Sequence, residues 1–145
     1  MKRHCNILMT ILMLAAVLTV GAKAQTASAQ QVLAAVPFEF NVGNTTLPAG
    51  KYVITVLNPT SDRRILQVRS ADGRSSAMIM TTGVVGKAAD NAKLVFHRYG
   101  DRYFFAQARM AGDATTLAAV KSRAERAEQA VAKSGKKSVI TITAE

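Results

Sequence analysis

Cysteine is almost missing from this chain: Cys5 stands alone among 145 residues. One thiol cannot make an intramolecular disulfide, so the fold must hold by packing alone. Histidine is nearly as scarce, with only His4 and His97. A zinc site needs several His or Cys ligands, and only His97 remains beyond the N-terminal leader described next. A Ser-His-Asp arrangement would also have to use His97, and no Gly-x-Ser-x-Gly elbow occurs to supply its serine. Gly83-Val84-Val85-Gly86-Lys87 lacks the rest of a phosphate-binding P-loop. After Val20 there is no second long apolar run, which predicts no transmembrane segment in the mature chain.

What is present first is an export signal. Lys2, Arg3 and His4 form a positive head. Ile7 to Val20 is a 14-residue apolar run broken only by Thr10 and Thr19. A spanning helix needs about 20 residues, so the run suits a cleavable signal and not an anchor. Ala22-Lys23-Ala24 supplies the small-x-small pattern before a cut at Gln25, and Ala27-Ser28-Ala29 offers a second site before Gln30. Residues 1–24 therefore read as a signal peptide, 25–33 as a flexible leader and 34–145 as one β domain. The expected location is periplasmic or extracellular.

Cleavage removes Lys2, Arg3 and Lys23 and no acid. The remaining chain carries 16 Lys and Arg against 9 Asp and Glu, a formal +7 where the whole chain has +10. Such a balance favours polyanions as neighbours, or serves solubility alone. Outside the cytoplasm nucleic acid is not an expected partner. Anionic envelope lipid or acidic polysaccharide is the reachable class.

The chain then reads as strands. Val36, Phe38, Phe40 and Val42 alternate onto one face, and Pro37 suggests an edge strand. Gly43 to Gly50 is a turn segment, and Lys51 to Leu57 a second strand. Two tight hairpins follow. Arg64–Ala71 and Arg74–Thr81 flank Asp72-Gly73, a type I′ signal that puts Leu66, Val68, Ala77 and Ile79 on one face and Ile65, Gln67, Met78 and Met80 on the other. Lys93–Tyr99 and Arg102–Gln107 flank Gly100-Asp101, a type II′ signal. There Leu94, Phe96, Arg98, Tyr103 and Phe105 share one face, and Val95, His97, Phe104 and Ala106 the other. Neither face is wholly polar, which calls for cover on both sides.

A helix is expected at 116–134, with Leu117, Val120, Ala124, Ala127 and Val131 as its apolar stripe, a Lys121–Glu125 pair, a cap at Asp113 or Thr116, and a stop at Gly135. Ser138–Thr143 is a last strand. The fold class is mainly β: an antiparallel β-sandwich or open barrel of about seven strands with one late α-helix.

Three stretches carry a resemblance: Val36 to Tyr52 (VPFEFNVGNTTLPAGKY), Leu94 to Phe105 (LVFHRYGDRYFF) and Lys121 to Arg126 (KSRAER). Together they resemble small exported proteins of unknown function that recur in acidobacterial genomes. The resemblance spans most of the chain beyond the leader. It implies export, a compact β domain and a role in the envelope or outside the cell, and it assigns no activity or catalytic residue.

The densest set of functional side chains is His97, Arg98, Tyr99, Arg102 and Tyr103, around the Asp101 turn. As a binding patch it offers guanidiniums that fork onto carboxylate or phosphate and rings that stack on apolar ligand faces. As structure it needs only an Arg98–Tyr103 cross-strand pair. No catalytic residue, metal ligand or cofactor is assigned. Met78, Met80 and His97 as a copper(I) set lack any Met-rich or His-rich run, and paired strand methionines fill cores more often. The expected function is a non-enzymatic binding or structural module of the envelope. The alternative is a small secreted hydrolase acting on polysaccharide or ester substrates.

Overall fold

The computed structural model describes residues 30–132 and 137–144. The signal peptide, both cleavage sites and Gly135 lie outside the described residues. The elements are β1 (Gln31–Val36), β2 (Phe40–Val42), β3 (Thr45–Leu47), β4 (Gly50–Val56), β5 (Arg63–Ser70), β6 (Ser76–Val85), β7 (Ala92–Tyr99), β8 (Arg102–Arg109), β9 (Thr115–Ala119), α1 (Arg123–Val131) and β10 (Ser138–Ala144). The protein is mainly β with one described helix. Among the described residues ten strands, where about seven were expected, join one open, unclosed sheet. Among the described residues no helix is long and apolar enough to cross a membrane.

The strands run β1-β4-β5-β6-β9-β8-β7-β10 across the sheet. Opposite β7, the other edge of β8 is shared: Gln107–Arg109 pair with β9, and Asn41 of β2 pairs in parallel with Phe104. The β2–β3 hairpin thus fills the notch beside β8 that β9 does not reach, and it lies against β6. Asn41 ties it there. Its amide donates to the Tyr103 carbonyl at 3.1 Å and its carbonyl oxygen accepts from Thr46 Oγ1 at 2.8 Å, so both polar atoms of a buried side chain have partners. The terminal strands β1 and β10 approach each other, but no ladder joins them.

One face of the sheet surrounds a common core. Val32, Val36, Phe40, Tyr52, Ile54, Leu66, Val68, Leu94, Phe96 and Leu117 are all buried in it. Phe40 meets Tyr52 and Phe96 edge-on at 5.1 and 5.3 Å, so the small β2–β3 hairpin joins two distant parts of the sheet through one ring.

Both hairpin registers are as the turn dipeptides predict: Val68 faces Ala77, and Phe96 faces Phe105. The first turn itself differs. Only Gly73 has positive φ, +74°, whereas a type I′ turn needs two such residues. Asp72 instead accepts from Ser70 Oγ at 2.6 Å and Arg74 N–H at 3.0 Å, giving a wider loop with the same register. In the second hairpin a bulge between Val95 and Phe96 pairs Val95 with Gln107 and leaves Ala106 extra.

Three expectations are corrected. Val36–Val42 is not one edge strand; it breaks at Pro37–Glu39 into β1 and β2. Gln31–Leu33 is not leader but strand, paired with Thr55–Val53 of β4. The helix is not 116–134. Thr115–Ala119 form β9, where Leu117 points into the core, because the gap between β6 and β8 needs a strand to pair both edges. Asp113 accepts from Thr115 N–H at 2.7 Å and so starts β9, not the helix. That bond, aided by Arg64 at 3.8 Å, holds the Asp113 carboxyl below the usual carboxylate range despite its partial burial. The helix begins at Ser122, whose Oγ accepts from Glu125 N–H at 3.1 Å.

Candidate binding surface

The five residues expected as a patch all lie on the β7–β8 hairpin, which turns at Gly100 with φ +58°. They divide between its two faces. Tyr103 stacks on Phe38 at 4.0 Å, and the Arg98 guanidinium lies over the Tyr103 ring at 5.5 Å. Arg98 Nε also donates to the Gly100 carbonyl at 2.7 Å, and its other end meets Asp101 at 3.7 Å. His97 and Tyr99 face the opposite way, under α1. Arg102 pairs with Glu128 of α1 and lies over Phe104 at 5.4 Å.

Two residues missing from the expected patch organise it. Glu125 of α1 is 3% exposed, with Oε1 2.7 Å from His97 Nδ1 and within 3.4 Å of the Tyr99 hydroxyl, which donates to it. Glu128 holds Arg102. The helix therefore docks through a face of Ala124, Glu125, Glu128 and Gln129. Val131 of the expected apolar stripe is 80% exposed, and Ala127 is also exposed. The outer face of β7–β8 offers His97, Tyr99 and Arg102, which satisfy carboxylates better than alanines would. Lys121 donates to Gln129 at 2.8 Å and not to Glu125. The signal for this docking was the Ser122-x-x-Glu125 spacing, which marks a helix start.

Burial of Tyr99, and then the charge and hydrogen bond of Glu125, raise its phenol pKa. Burial likewise raises that of Tyr52. A phenol raised in the folded state stabilises fully below its ordinary value near 10 and loses that contribution as pH climbs through the raised value. Circular dichroism against pH should show alkaline unfolding above about pH 10. Tyr99→Phe should delay that onset while changing stability at neutral pH by under about 1 kcal/mol, since it forfeits one long hydrogen bond. An unchanged alkaline onset in Tyr99→Phe would assign the transition elsewhere.

The His97–Glu125 pair holds an imidazole in one orientation, as a general base requires. Among the described residues no serine or threonine hydroxyl hydrogen-bonds to His97, and no group of three His, Cys, Asp or Glu gathers as a metal site. Met78 and Met80 are not near it. They stand on the outer face of β6, with β9 and β8 between it and β7, and are 62% and 51% exposed, so they do not fill the core either.

A different surface has unspent chemistry: the outer face of β1, β4, β5 and β6. Register sets its side chains in rows, Gln31–Thr55–Gln67–Met78 and Leu33–Val53–Arg69–Ser76. Ile65 faces Met80, and Lys51 and Arg63 stand at opposite ends. The four strands contain Lys51, Arg63, Arg64 and Arg69 and no aspartate or glutamate. Arg64 is spent on Asp113. Lys51, Arg63 and Arg69 are exposed. A groove of about 460 Å³ runs between Gln31, Thr55, Gln67 and Arg69 to the 70–73 turn, where Asp72, paired with Arg74 at 3.8 Å, closes its end. Gly73 belongs to that turn for two reasons: its positive φ, and the Arg69 guanidinium lying 3.0 Å from where a β-carbon would sit. This arrangement can bind an anion by charge and polar groups by hydrogen bonds. No known protein family, curated protein or solved structure matches the chain.

Proposed function

We propose that this protein is exported and acts without catalysis, as a binding module for a polyanionic component of the cell envelope. The observation that carries this reading is the outer face of β1, β4, β5 and β6, whose strands hold three exposed cations, Lys51, Arg63 and Arg69, and no acid, while Asp72 in the adjoining turn pairs with Arg74. On the β7–β8 hairpin, by contrast, Arg98 and Arg102 already have internal carboxylate partners. The N-terminal pattern supports export, and the resemblance to small exported proteins supports a role in the envelope or beyond it.

Two measurements test the proposal. N-terminal sequencing of exported protein should read Gln25 or Gln30; an intact Met1 would refute cleavage. Binding to dextran sulfate should be strong at low salt and fall steeply as salt rises, because bound cations release counterions and screening weakens the contact. Arg63→Gln/Arg69→Gln should weaken it while leaving thermal stability within about 0.5 kcal/mol, as expected for surface changes. Undiminished binding in that variant would place the site elsewhere.

The His97–Glu125 pair favours the second reading, a small hydrolase. His97→Gln decides it. Under the binding proposal the variant keeps polyanion binding, and loss of a measured hydrolytic activity with folding unchanged would replace that proposal.

A further inference from the structure

We infer that the outer face of β1, β4, β5 and β6 is a docking surface for an anionic lipid bilayer. This rests on the polyanion-binding reading and names its partner. Charge is the first argument. Lys51, Arg63 and Arg69 stand on this face with no acid in its strands, and long basic side chains lay their stems on apolar surface while their heads reach phosphates.

The second argument is what lies between the cations. Leu33, Met78 and Met80 are 45%, 62% and 51% exposed on the same face. A solvated outer face of an antiparallel sheet ordinarily alternates to polar residues at such positions. Adjacent strands lie about 4.8 Å apart, so β1 to β6 spans only about 14 Å. Leucine and two flexible thioethers within that span suit the irregular boundary between headgroups and acyl chains.

The two arguments together select the partner. A soluble polysaccharide would use the cations and the groove but gains little from exposed methionines. A second copy of this chain would cover the methionines but would bring Lys51, Arg63 and Arg69 against their like. An anionic bilayer uses both.

The test is sedimentation of the purified exported protein with phosphatidylcholine–phosphatidylglycerol vesicles, with phosphatidylcholine vesicles and with dextran sulfate. Mixed vesicles should carry the protein down and neutral vesicles should not. Met78→Ser/Met80→Ser, both at exposed positions, should weaken vesicle binding about tenfold and leave dextran sulfate binding unchanged. Arg63→Gln/Arg69→Gln should weaken both, the vesicle arm by roughly 25-fold. If the methionine variant binds mixed vesicles as well as the parent does, or if only dextran sulfate binds, the bilayer inference falls and the polyanion reading stands. A dimer that the methionine variant abolishes, with no vesicle binding, also overturns it, in favour of a second copy. Binding to neither probe overturns both.

Discussion

Phe96→Ala should cost about 3–5 kcal/mol, the range for truncating a fully buried phenylalanine. The side chain is fully buried. Its ring meets Phe38, Phe40 and Phe105 at 5.3, 5.3 and 5.8 Å, each edge-on. Removing it leaves a cavity that the neighbours cannot close. Phe40 is fixed by the β2–β3 hairpin, itself pinned through Asn41, and Phe105 is fixed by the ladder between β7 and β8. Domains of this size have only about 5–15 kcal/mol in total and no disulfide rescues this one, so a sizeable unfolded fraction is expected at physiological temperature. Urea unfolding should show a lower midpoint with an unchanged slope. Phe38→Ala should cost about 1–2 kcal/mol, because Phe38 is only partly buried and loses chiefly its stack on Tyr103. A Phe96→Ala loss below about 1.5 kcal/mol would mean that the core collapses around the gap.

The contrast between Phe96 and Phe38 also shows how far the fold was legible beforehand. Both alternate correctly in sequence, and both hairpin registers follow from Asp72-Gly73 and Gly100-Asp101. Turn chemistry is local, and a one-residue slip would have exchanged core and surface along four strands. The first register survives even though Asp72 declines the type I′ conformation. What escaped reading is non-local. β3 and β9 are three and five residues long, too short for a period of 2 to stand apart from one of 3.6. Their strand state is set by the open edges of β2, β6 and β8. The proposed binding surface was half legible: the outward side of Gln67, Met78 and Met80 followed from the hairpin, but the alignment of Lys51, Arg63 and Arg69 on one face whose strands hold no acid depends on β1, β4, β5 and β6 being neighbours. The partners of the expected patch around His97, Glu125 and Glu128, escaped reading because they lie more than twenty residues away, on a helix whose alanine stripe does not mark its docking face.

Glu125→Ala should therefore release α1. The carboxylate is 3% exposed and serves His97 at 2.7 Å and Tyr99 at 3.4 Å. Alanine leaves the buried Tyr99 hydroxyl and one His97 nitrogen without a protein partner, at about 2–3 kcal/mol together. Little else holds the helix, since Glu125 is its only buried residue and the Arg102–Glu128 pair is half-exposed. The expected outcome is local: faster tryptic cleavage after Arg123 and Arg126, with the protection of β4 and β5 amides against hydrogen exchange kept. Loss of protection throughout the sheet would show instead that the helix is integral to the core. A double change, His97→Phe with Glu125→Leu, separates the polar pair from the packing. Apolar side chains of similar volume commonly replace a buried polar pair at little cost, so this variant should recover most of the parent's resistance to trypsin. Failure to recover would mean that the helix is held by the specific hydrogen bonds of Glu125 and not by burial at its position.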